Sequence, residues 1–222
     1  ALLTWKIESA LSKPRILVLT PYFLPGRQGG GSVTALVSLI ERLKGEYEFV
    51  VVAGAHDLHA AEQYPEPARR QARRRAGVEI QYLPRGLAAV RPIRILLSQH
   101  WDLIYLNSFL SPVFTALPLL LRRLGRRAPR LLIAPRGELM AGALGERRGR
   151  KLIYLRTLRA LGLLRGAHFH ATSEAEAQEL RQFGLEPIRL VADLPPLLST
   201  PFSPRPAQEG APLRIVFLSR IE

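Results

Sequence analysis

Cysteine is absent from the 222 residues, which excludes disulfide staples and thiolate-held metals and fits a reducing compartment. Lysine occurs only at Lys6, Lys13, Lys44 and Lys151, so arginine carries nearly all of a formal net charge of +14. A charge of this size draws polyanions: nucleic acid, anionic lipid or phosphorylated substrates. An arginine bias also follows from a GC-rich genome, and composition leaves both readings open. No nucleic-acid-binding module is recognisable and the basic clusters lack interleaved aromatics, so nucleic acid is not expected as a partner. Long apolar runs are missing as well. The longest, residues 109–121, is too short to span a bilayer and holds Pro112 and Pro118. Residues 1–13 have no clean apolar stretch and do not read as a signal peptide. His168 and His170 alternate along one predicted strand without carboxylate companions, so they read as core or edge residues and no metal site is expected.

What is present is enough apolar sequence, 47%, for a substantial core: one large domain, or one domain plus a fragment. The chain is organised around residues 15–43. Ile16-Leu17-Val18-Leu19 reads as a strand buried on both faces. A loop over 21–31 ends in Gly29-Gly30-Gly31. Ser32 is then expected as an N-cap, before Val33, Leu36, Val37, Ile40 and Leu43 recur at helical spacing. A strand, a glycine-rich loop and a helix together set backbone N–H groups and a helix N-terminus against an anion. The plain alternative is a flexible turn. A dinucleotide fingerprint is excluded: Thr34 stands where its last glycine belongs, the loop is too long, and strand two ends without a ribose-binding acid.

Further strands are predicted at 48–53, 78–83, 102–106, 130–134, 167–170 and 188–191. Residues 56–76 read as a mobile loop or a solvated helix ending in an arginine run. Helices are predicted at 92–99, from Ser111-Pro112 to 124, and over a basic stretch at 147–164. Another opens at the capping box Ser173-Glu-Ala-Glu176 and runs to Phe183, with Gly184 as its stop. The alternation predicts an α/β fold: a Rossmann-like, doubly wound parallel sheet of about seven strands. Residues 1–192 form this domain, 193–212 a Pro- and Ser-rich linker, and 213–222 the first strand of a second domain. Ligands of such sheets sit outside the carboxyl ends of the strands. That edge carries the loops at 21–31, 107–111, 135–145, 171–173 and 192–195.

Four blocks in that order carry a resemblance: the Gly29–Gly31 loop after Thr20-Pro21; Trp101-Asp-Leu-Ile-Tyr105; Pro135-Arg-Gly-Glu-Leu139; and the segment from Ala167 to Glu176, AHFHATSEAE. The chain resembles the N-terminal lobe of family 4 retaining glycosyltransferases with the two-lobed GT-B fold, in the subgroup that builds surface polysaccharide and exopolysaccharide. The resemblance implies transfer of a sugar from a nucleotide diphosphate sugar to a glycan or lipid-linked acceptor. That sugar nucleotide is a co-substrate, and no cofactor is implied. It implies donor phosphate contacts from Gly29, Gly30, Gly31 and Arg220, and acceptor contacts from Asn107, Arg136, Gly137, Glu138 and Ser173. No catalytic residue is assigned. Many relatives have a histidine where this chain has Arg136; a guanidinium cannot act as a base, so its role must be electrostatic or in binding. The Pro-Asn-Gly turn that relatives carry after strand seven is also missing.

Each candidate has a bland counterpart. Arg136 and Glu138 would form a salt bridge that orders their loop, Asn107 a turn, and Ser173 only a helix cap. The helix at 147–164 sets Leu152, Leu155, Leu158 and Leu161 against Arg148, Lys151, Arg156 and Arg159. This suits either an anionic membrane or ordinary packing with a solvated basic face. A cytoplasmic protein, with peripheral contact at the inner membrane face if the basic helix docks there, is expected, and the resemblance implies that the chain alone is inactive because the donor lobe is missing. The rival function is a non-catalytic basic module that docks on a membrane or a protein. An oxidoreductase fragment is disfavoured by the glycine pattern.

Overall fold

The computed structural model describes residues 13–26, 28–58, 60–125, 129–140 and 148–197. The lead-in at 1–12, residues 198–212 of the expected linker, the strand expected at 213–218 and Arg220 lie outside them. Seven strands form one sheet: β1 (Arg15–Thr20), β2 (Glu48–Gly54), β3 (Glu79–Leu83), β4 (Leu103–Leu106), β5 (Arg130–Ile133), β6 (Ala167–Ala171) and β7 (Ile188–Leu190). Their order is β3-β2-β1-β4-β5-β6-β7, and every neighbouring pair is parallel. The α/β, Rossmann-like fold class expected from the sequence is therefore the observed one.

The alternation of β1 explains the layers. Leu17 and Leu19 face one core and Ile16 and Val18 the other, all of them buried. On the second face lie α1 (Gly31–Leu43) and α2 (Glu66–Ala76), through Leu36, Ile40, Ala72 and Ala76. On the first lie α3 (Val90–Leu97), α4 (Leu117–Leu124), α5 (Arg148–Ala160) and α6 (Glu174–Gln182), through Ile93, Leu119, Leu155 and Leu180. Trp101 and Asp102 fix the amino edge. The indole Nε1 donates to the Leu96 carbonyl at 2.7 Å, and an Asp102 carboxylate oxygen accepts from the Arg15 N–H at 2.8 Å.

Several local expectations change. Ser32 is not the N-cap of α1. Gly30 is, with φ +64°, and Ser32 sits inside the helix with its hydroxyl donating back to the Gly29 carbonyl at 2.9 Å. Only a glycine enters a helix easily at that φ. The stretch 56–76 includes a real helix, α2, closed by Gly77 at φ +65°. Its arginines are partly committed: Arg73 donates to Glu66 and to the Ile80 carbonyl, while Arg74 and Arg75 are exposed. The helix expected from Ser111 begins instead with a π turn over Pro112–Ala116, in which the Ser111 carbonyl accepts from both Thr115 and Ala116. The long basic helix, described as Arg148–Ala160, ends earlier than the expected residue 164.

The carboxyl edge is tightly fitted at Gly54. A Cβ there would lie 2.5 Å from the Pro21 carbonyl oxygen, a backbone atom that cannot swing aside. Gly54→Ala is expected to destabilise the fold by about 1–3 kcal/mol. Thermal melting checks this; an unchanged transition would mean that the loop after β1 yields freely.

Candidate functional site

The site is built from the turn after β5. Pro135 to Glu138 form a tight turn, closed by the Glu138 N–H donating to the Pro135 carbonyl at 3.1 Å. Both central residues are left-handed, Arg136 at φ +56° and Gly137 at +74°. Glycine takes this conformation freely. For Arg136 it stores strain, which persists only where surrounding contacts over-determine it. Among the described residues, Arg136 is the one non-glycine residue with positive φ.

Those contacts are visible. The side chain is 8% exposed, and each guanidinium nitrogen has a partner. Nε donates to Asn107 Oδ1 at 2.7 Å, one terminal nitrogen donates to the Tyr105 hydroxyl at 3.0 Å, and the other pairs with Asp193. Asn107 is itself buried, and its amide donates to the Thr20 hydroxyl at 3.3 Å. The expected Arg136–Glu138 salt bridge does not form.

A line of hydrogen bonds continues from Tyr105. His170 Nε2 lies 2.8 Å from the Val191 carbonyl, which can only accept, so Nε2 carries the proton. Nδ1 then accepts from the Tyr105 hydroxyl at 3.1 Å. Burial pushes the Tyr105 pKa up to about 12, against the lowering influence of Arg136. Burial also lowers the His170 pKa, outweighing the bond to Val191. Both groups are therefore neutral at neutral pH.

Two carboxylates hold the turn in place. Glu138 accepts from the Ser108 hydroxyl and from the Phe109 and Leu110 N–H groups, each at 2.7 Å, pinning the loop after β4. Glu176 is 3% exposed and accepts from the Gly137 N–H at 2.7 Å, the Thr172 N–H at 2.8 Å and the Thr172 hydroxyl at 2.9 Å. Half of the expected capping box forms: the Ser173 hydroxyl accepts from the Glu176 N–H at 3.2 Å. The glutamate half is redirected to Thr172 and across to the β5 turn.

These elements enclose an open cleft of about 400 Å³ whose lining includes Gly29, Gly30, Gly31, Arg136, Gly137, Glu176 and Asp193. The structure thus brings together the glycine loop and the Arg136-Gly137 turn. A Cβ on Gly29 would meet Val33 at 2.5 Å and Tyr22 at 2.9 Å, so the loop needs glycine there to lie close to α1. The other candidates stand apart from the lining. Asn107 lies beneath Arg136, Glu138 turns to the β4 loop, and Ser173 is exposed at the start of α6. Sequence reasoning missed Tyr105, Glu176 and Asp193 as parts of this site and read His170 as core or edge. Tyr105 and Glu176 lay inside the blocks that carried the resemblance; Asp193 had been counted with the linker.

The same fold occurs in a glycosyltransferase from Rickettsia africae ESF-5, with a TM-score of 0.51 and 10% identity over 82% of this chain. The chain spans 43% of the length of that structure. A protein from Clostridium thermocellum that binds two copies of 5-methyl-5,6,7,8-tetrahydrofolic acid aligns over 82% of this chain and 63% of its own, at 15% identity. Its TM-score of 0.27 carries no argument. No curated protein sequence matches the chain. The glycosyl transferase 4-like domain matches residues 30–192, which takes in Gly30 and Gly31, the β5 turn and all seven strands but β1. The chain belongs to that family.

Two outcomes follow from this geometry. Glu138→Gln leaves one acceptor oxygen for three donors and is expected to cost about 2 kcal/mol of stability, measured by denaturant unfolding; no loss would mean water substitutes fully. The second concerns pH. Unfolded His170 takes up a proton near the usual 6.5 while the native imidazole resists it, with Arg136 adding repulsion and Asp193 and Glu176 opposing. The unfolded chain then binds more protons, so stability is complete above that pH and falls as pH drops below it. His170→Gln should flatten the pH dependence of the melting temperature between neutrality and about pH 5. Part of the slope remains with His56, whose pKa burial also lowers. An unaltered slope would remove His170 from this account.

Proposed function

We propose that this chain is the acceptor-side lobe of a retaining glycosyltransferase. The full enzyme moves a sugar from a nucleotide diphosphate sugar to a glycan or lipid-linked acceptor in surface polysaccharide synthesis. The observation that carries the reading is the Arg136 clamp. It is a buried, strained, fully partnered guanidinium at the carboxyl edge of a parallel sheet, in the same cleft as a glycine loop and a helix N-terminus. Strain of this kind gathers where geometry serves ligands.

Arg136 cannot move protons, and it has no nitrogen to spare. Its useful feature is the weak side of the clamp. Asp193 is 43% exposed, while Tyr105 and Asn107 are buried. A phosphate or sugar oxygen can take the place of Asp193 on the outer nitrogen without disturbing the inner two. The guanidinium then offers a charge already oriented and desolvated, the condition under which electrostatic stabilisation costs least reorganisation. Glycine N–H groups of the loop from Gly29 to Gly31 face the donor phosphates across the cleft, joined in the full protein by Arg220. Glu138 and Asn107 act as positioning residues, and Gly137 permits the turn.

The experiment uses the full-length protein with a panel of nucleotide diphosphate sugars and lipid-linked or glycan acceptors, following nucleotide release. Absence of release with every pair overturns the reading. Arg136→Lys keeps the charge and loses the fork; it should lower kcat roughly tenfold, equivalent to about 1.4 kcal/mol. Full activity in that variant would reduce Arg136 to a structural charge, and a lower melting temperature with unchanged kcat would make it a loop-ordering residue.

A further inference from the structure

We propose that the outer face of the α3–α4–α5 layer docks on an anionic lipid bilayer. These three helices contain nine arginines and lysines and no acidic residue. The imbalance is regional: between Pro84 and Gly137 the sequence has one acid, Asp102, and that carboxylate is engaged with the Arg15 N–H at the amino edge. Elsewhere the helices carry their own counter-charges, as Glu66 with Arg73 on α2 and Glu174 with Arg181 on α6. Among the described residues, no ion pair reaches the exposed Arg91, Arg94, Arg123, Arg150, Arg156 or Arg159.

Charge alone would make this a solvated basic face. The second observation is apolar. Ile95, Leu120, Leu124, Ile153 and Leu161, at 43–74% exposure, stand on this layer among the arginines. They account for five of the nine large exposed hydrophobics among the described residues. The three helices share this face with α6: Ile93, Leu119, Leu155 and Leu158 enter the same core as Leu180, and Arg122 of α4 donates to the Arg165 carbonyl past α5 at 3.3 Å. The acid-free field thus covers α3 to α5 and ends at α6 with its Glu174. Protruding leucine and isoleucine set in an acid-free arginine field is the pattern of a surface that lies in a headgroup region. Nucleic acid would reward aromatic rings among the cations, and none is exposed here. Among the described residues no helix is long and apolar enough to cross a membrane, so contact through this layer is peripheral. The layer is a broad face of the sheet and the cleft opens at its carboxyl edge, so docking leaves the cleft uncovered. The inference does not rest on sugar transfer.

The test is co-sedimentation of the chain with vesicles of phosphatidylcholine alone or mixed with phosphatidylglycerol. Binding is expected only to the mixed vesicles, weakening with salt. Arg123→Gln and Arg156→Gln should each weaken it about fivefold. Leu124→Ser and Ile153→Ser should weaken binding at every salt concentration, because the apolar contribution is not screened. The double variant Arg74→Gln, Arg75→Gln on α2, on the opposite face, should bind like the parent. Circular dichroism of each variant establishes that it is folded. Equal binding to both vesicle types, no binding to either, or equal weakening by the α2 variant overturns the proposal. So does binding that is unaffected by the leucine and isoleucine changes, which would leave a charge-only surface.

Discussion

A guanidinium buried at the end of a sheet has to be matched at every nitrogen, since an unmatched buried charge is among the most costly features a fold can carry. The carboxyl edge of this domain is arranged around meeting that requirement for Arg136. Its three partners come from two places: Tyr105 and Asn107 at the end of β4, and Asp193 after β7. The two buried partners are in turn held, Asn107 by Thr20 at the end of β1 and Tyr105 by His170 on β6. The strained backbone at Arg136 follows from the same demand, because the left-handed turn aims the side chain inward over the strand ends while Glu176 holds the Gly137 N–H.

The glycines have a different part in the same edge. Gly54 lets the end of β2 approach the Pro21 carbonyl, and Gly29 lets the loop lie against Tyr22 and Val33. At Gly30 and Gly31 nothing lies within 4 Å of where a Cβ would be, so there the requirement is the φ of Gly30 and an open rim, not crowding. The triple glycine therefore serves packing at one position, helix entry at the next and cleft access at the third.

The fold was legible because parallel strands buried on both faces leave unbroken apolar runs, as in Ile16-Leu17-Val18-Leu19, and because each helix repeats apolar residues at its own period. The turn at Arg136-Gly137 was legible as part of the carboxyl edge, where ligands of parallel sheets sit. Its wiring was not. The partners of Arg136 lie 29, 31 and 57 residues away, and spacing along a chain of crossover connections says nothing about which strand ends meet. Glu176 was hidden for a subtler reason. A capping box accounts locally for a glutamate three residues after a serine, so nothing in the sequence asks for the contact with Gly137, 39 residues distant. The π turn at Pro112–Ala116 has no counterpart in the sequence pattern, which suggests only a Ser-Pro helix start.

The row of hydrogen bonds from Arg136 through Tyr105 and His170 to Val191 has a donor at one end that can only give and a carbonyl at the other that can only receive. With both ends fixed, no interior member can turn round without losing a hydrogen bond. The hydroxyl and imidazole dipoles are thus poled in one direction before any substrate arrives, and the local medium behaves as a frozen polarisation instead of a responsive liquid. In the transfer proposed above, charge that develops beside Arg136 meets a field whose orientation was fixed when the sheet assembled.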